Sequence, residues 1–264
     1  MNSEGDRLNP FNIERHLATR TIGRNIVYRD SVDSTNRLAF DLAAAGCAEG
    51  TCVIAETQTG GRGRLQRRWH SPYGKNIYLS CVLRPRLPAT EVSPLAFVSC
   101  LAVFDAVRSA GVEPRLKWPN DVLTLDGKKL CGTLIELSTK GPAVHFVVVG
   151  IGLNVNMGRE EMDAEIADTA TSLFIETRKC FERAAVCGIL LNGLERYYEI
   201  ASGAGVGEIC RIWEERAKVQ GTYMEIRQTD RVYRGVSEGL AADGALLLSE
   251  NGTVTRVIAG DVSI

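Results

Sequence analysis

The sequence predicts an α+β (or mixed α/β) main body over residues 1–217, followed by a small all-β module over residues 218–264. Three observations carry that prediction. Apolar strands and amphipathic helices interleave as far as Ala217. Beyond it, short alternating segments are separated by Asp, Gly and Asn turns. The length of 264 residues exceeds an ordinary domain of about 150 by too little for a second one of full size.

Phe11, Ile13 and Leu17 share a helical face, and residues 25–30 read as a strand. Ser34 has the chemistry of an N-cap before an alanine-rich helix that stops at Gly46. A strand over 51–57 runs into a Gly- and Arg-rich loop, and residues 76–83 resume the strand pattern. Residues 91–110 predict a long helix. A strand at Leu116 precedes a hairpin centred on Asp126-Gly127, whose partner strand covers 129–137; Asp-Gly tolerates the positive φ of a tight hairpin turn. Residues 143–156 form another apolar strand, and two or three helices follow between 171 and 217. The last segments are 223–227, 232–240, 245–248 and 253–258. Their module is near the lower size limit for an independent fold, so it is expected to lean on the main body.

Composition narrows the function. Basic residues number 31 and acidic 32, so any attraction for an anion is local rather than global. A general nucleic-acid or membrane-surface binder is not expected. The first thirty residues lack the pattern of a signal peptide, and no apolar run approaches the roughly 20 residues of a membrane span, so a cytoplasmic protein is expected. The eight cysteines form no CxxC pair, and with only three histidines they read as reduced core thiols rather than a metal cluster.

The local charge sits in TQTGGRGRLQRRW, residues 57–69. Residues 57–90 hold seven basic side chains and no acidic one. Gly60, Gly61 and Gly63 leave room for backbone N–H groups to approach a phosphate that Arg62 and Arg64 clamp; a solvated basic loop or a weak RNA contact is the alternative. Lys117-Trp-Pro-Asn-Asp121 stands at a strand junction, where Lys117 can neutralise developing charge and Asn120 and Asp121 can orient a nucleotide or Mg²⁺. A surface turn around a buried Trp118 is the plainer alternative. Lys129 opens a strand in which Gly132 leaves room for a ligand, and Lys128 beside it points to the other face. Asn154 needs a partner if buried.

In combination these residues resemble the biotin protein ligases of the short, single-function type. The resemblance covers about residues 11–264 and rests on DSTN at 33–36, ETQTGGRGR at 56–64 with RRW at 67–69, KWPND at 117–121, KLCG at 129–132 and GIGLNVN at 150–156. It implies a mixed-sheet catalytic domain of the class II aminoacyl-tRNA-synthetase and biotin-ligase type over 1–217, and a C-terminal barrel of the Src-homology-3 kind over 218–264. It implies an ATP-dependent ligase: biotin and MgATP give biotinyl-5′-adenylate and pyrophosphate, and biotin then passes to a lysine of a biotin carboxyl carrier protein or domain.

By position, the resemblance places Ser34, Thr35, Asn36, Gln58, Gly61, Arg62, Gly63, Arg64, Lys129 and Gly132 at biotin. It places Arg62, Arg64, Arg67, Trp69, Lys117, Asn120, Asp121 and Asn154 at ATP, with Trp69 over the adenine. Arg64, Lys117 and Lys129 would be catalytic and Asp121 would meet Mg²⁺. The apolar bicycle of biotin needs a greasy pocket, for which the strands around Val53, Leu134 and Val149 are candidates. A homodimer is also implied.

Two features depart from some members of the family. Gln66 stands where some carry glycine, and only some thirty residues precede DSTN, too few for a winged helix-turn-helix, so neither DNA binding nor repression is expected. Two other readings remain. A lipoate ligase would share the adenylate chemistry, although GRGR and KWPND favour biotin. A nucleic-acid module would use the Gly-Arg loop, but with 6% aromatic residues stacking platforms are sparse.

Overall fold

The computed structural model describes residues 7–228 and 231–263; the side chain of Gln66, where the sequence departs from the family pattern, lies outside the described part. The chain starts with a short helix α1 (Pro10–Glu14), capped by Asn9, whose side chain accepts from the Asn12 amide. It is shorter than the spacing predicts, since Phe11 is exposed and Ile13 alone of its residues is buried.

Strand β1 (Ile26–Val32), helix α2 (Thr35–Ala44) and strand β2 (Cys52–Gln58) make a parallel crossover, closed by Gly46 at φ +90°. Ser34 occupies the N-cap position, but its hydroxyl makes no capping bond, which corrects its predicted structural role. Strand β3 (Ile77–Leu83) leads to helix α3 (Leu95–Ser109). That helix begins four residues later than predicted because a 3₁₀ turn and Pro94, which has no N–H to donate, precede it.

Strands β4 (Pro114–Lys117), β5 (Asp121–Thr124), β6 (Lys129–Lys140) and β7 (Ala143–Leu153) follow as a meander. The Asp126-Gly127 turn joins β5 to β6, with Gly127 at φ +87°. The order β1-β2-β3-β7-β6-β5-β4 is a mixed sheet, parallel only at β1-β2. Helices α4 (Leu173–Thr177), α5 (Arg183–Gly203) and α6 (Val206–Ala217) complete the main body.

Beyond α6 come β8 (Tyr223–Arg227), β9 (Val232–Leu240), β10 (Leu246–Glu250), β11 (Thr253–Val257) and β12 (Asp261–Ser263), an antiparallel sheet in the order β11-β10-β9-β8-β12. The module leans on the main body. Trp118, 2% exposed, donates its indole N–H to the Gly244 carbonyl at 3.0 Å, and Phe97 of α3 packs on Gly244 and stacks on Trp213 of α6.

The large core lies between one sheet face and α3, α5 and α6, with Val147, Val149, Ile151 and Leu153 of β7 pointing into it. A smaller core on the opposite face holds Val53, Val148 and Phe146 under Ala39 and Ala43 of α2. The stretch Ala89–Ser109 is long and apolar enough to cross a membrane, contrary to the expectation that no run reaches that length; most of it is packed inside the fold. Six of the eight cysteines are buried free thiols, whereas Cys47 is half-buried and Cys180 exposed.

Candidate active site

Past the end of α2, the second face of the sheet is uncovered. There β7 carries Gly150 and Gly152, with Asn154 just past its end, and β6 carries Gly132 and Leu134, so the alternation that fills the core on one side leaves a hollow on the other. The hollow is a cavity of about 480 Å³. Ser34, Thr35 and Asn36 close one end with Gln58. The Gly-Arg loop (Arg62, Gly63, Arg64, Arg67, Arg68, Trp69) forms one wall, and Lys117, Asn120, Asp121 and Lys129 stand with it.

The end at α2 is a chain of hydrogen bonds among uncharged side chains, anchored behind Asn36 on the Glu136 carboxylate. Thr35 donates to Gln58 Oε1 from both its amide and its hydroxyl, at 2.9 and 3.1 Å, and Gln58 Nε2 donates to Ser71 Oγ. Ser80 Oγ lies 2.6 Å from Asn36 Oδ1, while Asn36 Nδ2 donates to Glu136 Oε2 at 2.8 Å. A Cβ on Gly150 would lie 2.0 Å from Asn36 Oδ1, so that glycine is what lets Asn36 sit at the cavity.

The Gly-Arg loop is a tight hairpin with Arg62 bridged to Arg68 and Leu65 at φ 55°. Its turn uses the amides that the sequence offers to a phosphate: Gly63 N–H donates to the Arg67 carbonyl and Gly60 N–H to the Asp33 carbonyl. Gly61 stands just outside the cavity lining; a Cβ there would meet the Trp69 carbonyl at 2.8 Å, so glycine allows the close packing at this point of the loop.

Arg64 donates to Asn120 Oδ1 at 3.0 Å, and Asn120 Nδ2 donates to the Thr133 carbonyl at 2.6 Å. Asn120 thus aims Arg64. Burial lowers the Arg64 guanidinium from its ordinary pKa, while Asp261 and Asp121 favour its charge. Lys129 Nζ pairs with Asp121 at 2.7 Å and lies 5.5 Å from the Trp69 ring centroid. The Trp69 ring rests against Gly132 and Gly152, where added Cβ atoms would approach it to 3.0 and 2.4 Å.

Asn154 borders the cavity, with its amide hydrogens on the Thr171 and Lys129 carbonyls and its oxygen accepting from Asn76, so it is held in place there. Of the three strand regions expected to supply the lining, two do so, through Leu134 on β6 and through Gly150, Ile151 and Gly152 on β7; Val149 itself packs in the large core and Val53 under α2. Lys129 faces the cavity and Lys128 is not among its lining residues, as the alternation requires.

Sequence reasoning missed several contributors. His70 places Nδ1 2.7 Å from Asp163 Oδ2 and Nε2 2.6 Å from the Glu161 carbonyl, clipping down the segment that brings Ile166, Thr169 and Ala170 to the cavity. Its place beside Trp69 was the one available signal. Asp261, from the C-terminal sheet, lines the cavity and pairs with Arg67. No local pattern announces it. Among the described residues no three His, Cys, Asp or Glu side chains gather for a metal ion; the cavity holds Asp121 and Asp261, each against a cation.

The sequence profile of the biotin/lipoate A/B protein ligase family matches residues 28–154. A biotin--[acetyl-CoA-carboxylase] ligase from Paracoccus denitrificans is 36% identical, over 82% of this chain and 90% of its own length. The bifunctional ligase/repressor BirA of Bacillus subtilis is 34% identical, over 98% of this chain and 79% of its own. In three dimensions the chain is similar to a biotin protein ligase from Aquifex aeolicus solved with biotin and ATP: TM-score 0.77, 29% identity, covering 91% of this chain and 98% of that one.

Proposed function

This chain belongs to the biotin protein ligases of the biotin/lipoate A/B protein ligase family, and on that premise we propose that its cavity joins biotin to AMP and then passes biotin to a lysine of a biotin carboxyl carrier domain. The observation that carries the reading is charge placement. Arg62, Arg64, Arg67, Arg68, Lys117 and Lys129 converge on one cavity, whose far end at Thr35, Asn36 and Gln58 is neutral and hydrogen-bonding.

Such an arrangement suits a ligand with a polar, uncharged head and an anionic tail. The head sits among Ser34, Thr35, Asn36 and Gln58, with Leu134 and the glycine floor against the apolar part. The carboxylate then meets Lys129, and ATP phosphates meet Arg64, Arg67 and Lys117. Two anions are thereby held together, and their repulsion is offset before the carboxylate oxygen attacks the α-phosphorus and pyrophosphate leaves. Asn120 keeps Arg64 on the phosphate, and Trp69 offers an aromatic face to adenine. Mg²⁺ would come with ATP as part of the substrate and would supply charge neutralisation at its phosphates; Asp121 is the residue that would hold it, with phosphate oxygens and water as its other ligands.

In the second step a neutral lysine amine attacks the acyl carbonyl, the C–O bond to the phosphate breaks and AMP departs with its electrons, and the nitrogen gives up a proton to solvent to leave the amide. Incubation with biotin, MgATP and a carrier domain should add one biotin mass to a single carrier lysine. No gain, or a gain with lipoate instead of biotin, would reverse the assignment. The reading also includes a cytoplasmic homodimer, testable by sedimentation of the full chain, and no operator binding, testable by gel shift with duplex DNA.

A further inference from the structure

The C-terminal sheet puts a negative charge into a cavity that otherwise gathers positive ones for phosphates. We propose that Asp261 is a positioning residue that acts as a placeholder anion: it holds Arg67 in the nucleotide's absence, is exchanged for ATP phosphate on binding, and thereby weakens ATP affinity from outside the catalytic sheet. This rests on the functional reading above.

The placement of Asp261 is determined by its neighbours. Gly260 has φ +147°, and a Cβ there would lie 2.4 Å from Ile226 Cγ2, so only glycine brings β12 this close to β8. The β12-β8 pairing sets Asp261 opposite Arg227, yet Arg227 pairs with Glu225 on its own strand at 2.7 Å. Asp261 therefore turns to the Gly-Arg loop and pairs with Arg67, while both terminal nitrogens of Arg64 lie 3.5 Å from the Gly260 carbonyl. Two adjacent residues of one module thus supply oxygen acceptors to two arginines assigned to phosphate.

The strength of the contact fits exchange. The Arg67 side chain is 68% exposed and that of Asp261 34%, and an ion pair this wet contributes little net stability. A nucleotide carries more charge than one carboxylate and takes the arginine. The displaced carboxylate stays at the cavity edge beside a polyanion, and that repulsion opposes binding. Removing its charge should therefore tighten ATP binding, the opposite of what a structural latch or a metal ligand predicts.

The test compares wild type with Asp261→Asn and Asp261→Glu. Calorimetry with ATP, alongside the KM for MgATP in adenylate formation, should show affinity rising roughly three- to tenfold in Asp261→Asn, the scale for removing one partly solvated charge beside phosphates. The gain should shrink with added salt, KM for biotin should stay put, and Asp261→Glu should behave as wild type. Weaker ATP binding with faster proteolysis at Arg67 or Arg68 would make Asp261 a structural latch. Weaker binding with an altered Mg²⁺ requirement would make it a metal ligand, and unchanged binding would leave it no role. Each overturns the proposal. ATP binding without any biotinyl-adenylate from wild type would sink the functional reading instead, while the calorimetry would still decide on Asp261.

Discussion

Strand β7 treats its two faces in opposite ways. Toward α3 and α5 it sends Val147, Val149, Ile151 and Leu153, all at most 3% exposed, into a continuous core. Toward the other face it sends Phe146 and Val148 under α2, and then Gly150 and Gly152 at the cavity. One face is filled to seal water out, and the other is emptied to let a ligand in. The hollow thus comes from side-chain size in a period of two, while the backbone on both sides is the same ladder. The partly covered face also concentrates charge, because the loops around an uncovered patch can bring cations to it without passing through the core.

The contrast is most easily broken by filling the open face. Gly152→Val would drive a side chain into the Trp69 ring, whose atoms lie 2.4 Å from an added Cβ. We expect adenylate formation to fall about a hundredfold, as for a misplaced site. Thermal unfolding should shift far less, and a large loss of Tm would count against a local effect. The opposite substitution hollows the filled face: Val149→Ala should cost about 2 kcal/mol by chemical denaturation, with kcat retained. Lost activity in a folded Val149→Ala protein would mean that the two faces are coupled.

Arg64→Gly sharpens the comparison at the loop. It removes the guanidinium held by Asn120, so biotinyl-adenylate should escape about tenfold faster. Mass spectrometry of bystander lysines would register the escape, and no rise in their biotinylation would take the phosphate clamp away from Arg64. The smallest effect belongs to the filled side, where Glu195 of α5 accepts from the amides of Arg20, Thr21 and Ile22 at 2.6, 2.7 and 2.9 Å. Burial pushes its pKa up, but those bonds and Arg24 overcome it, and the net shift is below the ordinary 4.5. A depressed carboxylate contributes stability above its unfolded value and loses it as pH falls through the folded one. Glu195→Gln should therefore cost about 1 kcal/mol near neutrality. Titrated below pH 4.5, it should show a flatter acid limb than wild type, and parallel curves would remove the effect from Glu195.

Much of this was legible in the sequence because its causes are local. The Asp126-Gly127 turn, the strand at 223–227 and the strand at 232–240 follow from turn chemistry and alternation, and they fall where the structure has them. Arg64, Lys117, Asp121 and Lys129 were visible as unusual residues at strand junctions. What stayed hidden depends on contacts between distant segments. Asn120 reads in sequence as a nucleotide ligand, and its engagement by Arg64 and the Thr133 carbonyl depends on segments far from it along the chain. Asn154 is spent on Thr171, Lys129 and Asn76, none of which its own neighbourhood predicts. Gly61 and Gly63 look alike in sequence, yet only Gly63 lines the cavity, because Gly61 is pressed on the Trp69 carbonyl. Asp261 lies in a three-residue strand, too short for any periodicity to register.

The central claim is that Lys129 and the arginines on the open face bring the biotin carboxylate and the α-phosphate of ATP together. Exchange of labelled pyrophosphate into ATP measures that step without a carrier protein. The account predicts exchange that requires biotin and falls at least about a hundredfold in Lys129→Ala, the order of loss for one electrostatic contact to a reacting group. Exchange at the wild-type rate in a folded Lys129→Ala protein, or exchange driven by lipoate and not by biotin, would contradict it.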